Sequence, residues 1–287
     1  MKELFLAYLY KLRHDLTFRI TLFIGGGLAF LMTLLYFGIS FMLETNMIDG
    51  PSMLISSLSP VQNFGLAVPI NLITFTVLEF NQGGIRNKII GGHSKPQIYA
   101  SIFLNGLVFT FALMIIYALL TFGLGSAFGA IYSAIRPDDM AISAKYADYY
   151  ILKMILVAVV CYISIVSFTV FFSTLFRNVG PTIPVVIIVL LFCYLGGSLV
   201  SILAQNEEGL LWFGRIVDPL YALGANEYTD AQGFFVSEEA LDSMPIETLL
   251  STSMSNETFI SGIISNLVYT AIFFSGGILI FSKRDIK

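Results

Sequence analysis

Glu79-Phe-Asn-Gln-Gly-Gly-Ile-Arg-Asn-Lys-Ile-Ile-Gly-Gly-His-Ser-Lys95 is a polar island between two long apolar runs, and its reading decides the architecture. Glycine pairs at 83–84 and 91–92 bracket six residues, Ile85 to Ile90. The first pair allows a break in a helix leaving the membrane. The second ends the short element, and Lys95-Pro96 then opens the next long helix. Between the brackets the spacing predicts one or two amphipathic helical turns, with Arg86, Asn87 and Lys88 toward water or a partner. An ordinary basic loop explains the charges but not the paired glycines.

The rest of the chain explains why such an island stands out. Of 287 residues, 56% are hydrophobic and 12% charged, against about 25% charged in soluble domains. With a mean hydropathy of +0.83, the bilayer is the expected solvent. A span needs about 20 mostly apolar residues. Six stretches qualify: Ile20–Leu43, Val61–Phe80, Ile98–Leu124, Tyr149–Phe176, Pro181–Ala204 and Phe259–Phe281. Pro69 and Pro184 locally break backbone bonding, which neighbouring helices repair. Residues 1–19 lack a cleavage pattern and mix apolar residues with Lys11, Arg13 and Asp15, so a helix lying in the membrane interface is expected.

The fold expected is all-α: a polytopic membrane protein of six transmembrane helices, with an N-terminal interfacial helix and a short cytoplasmic helix between spans two and three. Residues 1–287 form a single transmembrane domain, comprising the interfacial helix 1–19, the loop 81–97 and a large outer segment 205–258. Six spans put both termini and the loops at 81–97 and 177–180 on one side. That side holds 11 of the 15 basic residues, while the other holds 15 of the 19 acidic ones. The positive-inside rule then places both termini in the cytoplasm of a multi-pass protein of the cell membrane. In the outer segment, Gly209 to Gly214 and Pro219 to Tyr221 are too short to span and are expected to dip into the outer leaflet or pack on the bundle.

Catalytic patterns are absent from the sequence. His14 and His93 are not at metal-ligand spacing, and no phosphate-cradling glycine loop, nucleophile elbow or paired-cysteine motif occurs. No catalytic or metal residue is therefore assigned. Cys161 and Cys193 fall in apolar runs and read as small buried hydrophobes. The spans are almost free of charge, which disfavours an ion-gradient engine. Their uncharged polar residues include Asn71, Asn105, Tyr194, Ser198 and Asn266. Such groups bond neighbouring helices, and Asn71, Tyr194 and Ser198 are the candidates for lining a pathway.

The island, continued through Pro96-Gln-Ile-Tyr99, resembles the first cytoplasmic loop of bacterial ABC-2 type permeases. An acidic residue, a Gly followed by a small residue, an apolar-Arg-Asn stretch and a Ser-basic pair recur there in order. Phe281-Ser-Lys-Arg-Asp-Ile-Lys287 is similar to the family's ending, and the six-span layout extends the likeness over nearly the whole chain. The resemblance implies a membrane subunit of an ATP-binding cassette transporter, paired with a second copy or a sibling permease and surrounded by membrane lipids. Its coupling residues would be Glu79, Gly84, Ile85, Arg86, Asn87, Lys88, Ile89, Gly91, His93 and Ser94, docking onto a separate ATPase subunit. This chain would carry no cofactor and no enzymatic activity; ATP and Mg are expected on the partner, and no nucleic acid is involved. Gly84 stands where Thr or Ser is common, which should loosen the helix start, and Lys95 stands where Arg is common. The family's habits and the acidic outer loop lean toward export of an antimicrobial peptide or drug. The alternative is an ion-gradient-driven secondary transporter or channel without an ATPase partner.

Overall fold

Apolar stretches of this length have no water to bond their backbone, so the helix, which satisfies its own amides, is the form they take. A computed structural model describes residues 2–43, 45–46, 48–58, 67–137, 140–141, 145–146, 149–176, 178–203, 227–229 and 251–284. It is helical throughout, apart from strand pairings two or three residues long. The helices are α1 (Lys2–His14), α2 (Leu16–Leu43), α3 (Gly50–Leu58), α4 (Ala67–Asn81) and α5 (Gly84–Ile90). They continue with α6 (Lys95–Ile135), α7 (Tyr150–Phe176), α8 (Val179–Leu203) and α9 (Asn256–Lys283). Among the described residues, four of these, α2, α6, α7 and α9, are long and apolar enough to cross a membrane. In α4 and α8 the apolar helices described with their side chains are shorter, Val68–Asn81 and Val179–Phe192.

α7 is the centre of the bundle. In its most apolar window 61% of the residues are buried, against 17% in α2 and in α9. It packs against α4, α6, α8 and, most extensively, α9. Its buried hydroxyls are satisfied locally or across that seam: Thr169 donates to Ile165 O at 2.7 Å, Ser173 to Thr169 O at 2.7 Å and Ser167 to Thr270 O at 3.1 Å. Cys161 is buried on this helix. The side chain of Cys193 lies outside the described residues.

Two features depart from the sequence expectation. The third apolar run continues past Leu124 to Ile135, giving a helix of 41 residues. At 1.5 Å per residue that is about 60 Å, twice the roughly 30 Å of a hydrocarbon core. Pro137 then stops it. The segment expected as a short outer loop, Glu44 to Pro60, carries α3, which lies along the far part of α6. The close approach requires small residues. A Cβ at Gly125 would sit 2.6 Å from Met53 Cγ, and one at Gly129 would overlap the Ile48 carbonyl. Asp49 accepts the Ser52 amide at 3.0 Å and so caps α3.

At that end β1 (Thr45–Asn46) pairs in parallel with β2 (Met140–Ala141). A second small sheet joins β3 (Lys145–Tyr146), β4 (Glu227–Thr229) and β5 (Ser251–Ser253) in the order β3-β5-β4. The β3–β5 pair is parallel and the β4–β5 pair antiparallel. The apolar patches at Gly209–Gly214 and Pro219–Tyr221, expected to re-enter the membrane, lie outside the described residues.

The opposite end gathers α1, α5, the start of α6 and the ends of α7 and α9. Lys95 Nζ donates to Ser282 O at 3.1 Å and Arg284 O at 2.7 Å, at the C-terminus of α9. Arg284 Nη1 in turn donates to Thr174 O at 2.8 Å and Leu175 O at 2.6 Å, at the C-terminus of α7. Each cation meets the carbonyls that a helix leaves unpaired at its negative end. Here the basic residues of the chain are partly structural.

Candidate functional site at the basic end of the bundle

α5 is bounded by glycines in conformations that side chains resist. Gly83 has φ 70° and Gly92 φ 86°, both left-handed. At its C-terminus the His93 amide donates to Lys88 O at 3.1 Å and the Gly92 amide to Ile89 O at 3.0 Å. This pair of bonds is the Schellman motif, and it needs a residue such as Gly92 in that place. Ser94 follows as the N-cap of α6, its amide donating to Gln97 Oε1 at 3.2 Å. The Ser-x-x-Gln spacing marks that start in sequence.

One face of α5 is pinned. Ile85 is fully buried, and Ile89 packs on the same core. Lys88, expected to face water or a partner, turns inward, because an acceptor waits there. Glu79, buried near the end of α4, forms ion pairs with both Lys88 of α5 and Lys11 of α1. The Lys88 ammonium also lies 3.5 Å from the centroid of the Tyr8 ring, and Lys11 5.4 Å from that of Phe75. A carboxylate buried alone is costly. Two cations with aromatic faces behind them give it full pairing. Burial pulls the pKa of Lys88 below the ordinary amine range, and Glu79 opposes that shift. Burial beside the same carboxylate pushes the Tyr8 phenol upward.

The other face of α5 is open. Arg86, Asn87 and Ile90 are exposed, Ile90 to 74%. Between α1 and α5 runs an open groove of ≈ 560 Å³, bordered by Glu3, Lys11, Asn87, Gly91 and His93. The arrangement is a short helix with a left-handed glycine at each end, held from behind by charge. It offers an apolar knob, a guanidinium and an amide outward.

The ten residues expected in this role thus divide. Glu79, Gly84, Ile85, Lys88 and Ile89 hold the element, Arg86 and Asn87 face out, and Gly91, His93 and Ser94 close and follow it. Lys11 and Tyr8 complete the site and were missed by the sequence reading, which placed the first helix in the interface without a partner. Of the pathway candidates, Asn71 accepts a bond from the Thr21 hydroxyl at 2.7 Å, joining α4 to α2. Tyr194 and Ser198 fall on the α8 backbone, and their side chains lie outside the described residues. No family model, curated protein or solved structure matches the chain.

Proposed function

We propose that the chain is the permease subunit of an ATP-driven transporter of the ABC-2 type, and that α5 is the element on which a separate ATPase subunit docks. One observation carries the reading: α5 is fixed on its inner face by Ile85 and the Glu79–Lys88 pair while Arg86, Asn87 and Ile90 stand free on the outer face. A loop that merely connects two spans has no need of two left-handed glycines and a buried counter-ion.

In this reading α2, α4, α6, α7, α8 and α9 are the six spans, α1 lies in the cytoplasmic interface, and both termini are cytoplasmic in the cell membrane. Two permease copies, or this chain and a sibling, enclose the pathway. When two ATPase domains close around ATP, they displace α5. Because Glu79 ties α5 to α4 and to α1, the displacement passes into the bundle as a rigid-body rotation. ATP and Mg belong to the ATPase partner. Export is the direction that the family resemblance favours, with an antimicrobial peptide or drug as the cargo class.

Purification of the tagged protein from its native membrane in mild detergent, followed by mass spectrometry, tests this reading. A stoichiometric soluble chain with a phosphate-binding loop is the expected companion. Recovery of the permease without any such chain, both before and after crosslinking in the membrane, would overturn it.

A further inference from the structure

α2, α4 and α6 leave a cleft between them whose lining includes Asp15, Asn71, Thr74 and Asn105, walled by Phe18, Phe75 and Phe109. Its enclosed space is ≈ 20 Å³, room for about one water or one ammonium head. Several hydrogen-bond donors around the cleft already have acceptors. Asn105 Nδ2 donates to Ser101 O at 2.9 Å, the Thr74 hydroxyl to Ile70 O at 2.8 Å, and the Thr21 hydroxyl to Asn71 Oδ1 at 2.7 Å. The buried polar atom left unpartnered in the cleft is an acceptor. Asn105 is 1% exposed, and its Oδ1 has no hydrogen-bond partner among the described residues. Asp15 adds a carboxylate at the α1–α2 junction, one oxygen of which accepts the Thr17 amide at 2.7 Å. Among the described residues, no lysine or arginine lines the cleft.

We propose that this cleft seats the primary ammonium of an amphiphile from the adjacent leaflet, namely an amino-headgroup phospholipid. An ammonium supplies donors for the orphaned Asn105 oxygen and positive charge for Asp15. The aromatic walls favour a cation beside them and an acyl chain beyond. Leu78, also in the lining, is exposed and gives the cleft an apolar outer border. A choline headgroup carries the same charge but no N–H, so it lacks the donor that Asn105 needs. The inference rests on the membrane orientation given above, which puts the cleft in the cytoplasmic leaflet. It does not depend on the ATPase partner.

The test is thermal unfolding of the full chain in nanodiscs of phosphatidylethanolamine with phosphatidylglycerol, against phosphatidylcholine with phosphatidylglycerol. The wild type is expected to melt about 4 °C higher in the ethanolamine discs. Asp15→Asn, which keeps the shape and the bond to Thr17, should lose at least half of that difference, and Asn105→Leu should lose it as well. Equal melting of the wild type in both discs would overturn the proposal. So would an undiminished difference in Asp15→Asn, which assigns the effect to the bulk bilayer. A shift produced in choline discs by free ethanolamine would make the ligand a soluble amine and overturn the lipid source. A shift on exchanging potassium for sodium, without lipid dependence, would make the cleft a metal-cation site and overturn the ammonium.

Discussion

The carboxylate of Glu79 occupies the space that a side chain at position 84 would need. A Cβ on Gly84 would lie 2.6 Å from Glu79 Oε2 and 3.3 Å from the Glu79 backbone oxygen. The glycine that reads in sequence as a loose helix start is a close-approach residue, and it lets α5 begin directly against the buried acid. Gly84→Ala should therefore destabilise the protein by about 1–3 kcal/mol through overpacking. The same change placed on Glu79→Ala should cost under about half as much, because the obstructing atoms are gone. Thermal unfolding of the four proteins of this cycle measures the coupling, and equal costs in both backgrounds would contradict the contact.

Glu79→Gln keeps the shape and removes the charge. Burial disfavours the Lys88 ammonium, and the carboxylate is what opposes this. Without it Lys88 should release its proton at lower pH. Acylation of Lys88, followed by peptide mass spectrometry across a pH series, should reach half-labelling at lower pH in the variant than in the wild type. The folded variant then binds fewer protons than the unfolded chain between the two pKa values. Its stability should consequently rise with pH across that window. An unmoved labelling midpoint would show that the pair is not electrostatically linked.

Lys95 and Arg284 form a relay of helix caps, since Lys95 binds the carbonyl of the residue whose guanidinium closes α7. Arg284→Met and Lys95→Met should each lower stability by about 0.5–2 kcal/mol. Because one cap positions the other, the double variant should cost less than the sum of the two. Strict additivity would show that the caps act independently.

Gly129 lets the Ile48 carbonyl approach α6, and backbone on both sides leaves nothing to yield. Gly129→Ala should displace α3 and destabilise by about 1–3 kcal/mol. The equivalent change at Gly27, which has nothing within 4 Å, should be neutral or slightly stabilising through helix propensity. A tolerated Gly129→Ala would contradict the packing of α3.

Local signals carried much of this architecture. The apolar runs located the long helices to within a few residues at most ends, and the glycine pairs located α5, because both properties reside in adjacent residues. Non-local relationships were not legible. Lys11 and Glu79 are 68 residues apart, and nothing near either announces the other. α3 was missed because Gly50-Pro-Ser-Met-Leu-Ile-Ser-Ser-Leu58 is short and mixed, and its helical state depends on the glycine face of α6. The third span is expected to end at Leu124, where its length already suffices to cross a bilayer, whereas α6 runs on to Ile135. Its small residues are the surface against which α3 packs.

The central claim is that the outer face of α5 meets an ATPase, and a photo-crosslinker placed at Arg86 or Ile90 in native membranes tests it most directly. The account predicts that both positions capture the same soluble chain, bearing a phosphate-binding loop, and that Arg86→Glu abolishes its capture at position 90 while membrane insertion is unchanged. A crosslinker at Leu119, which is 66% exposed on α6, should capture no such chain. Capture of lipid alone at positions 86 and 90 in native membranes would contradict the account.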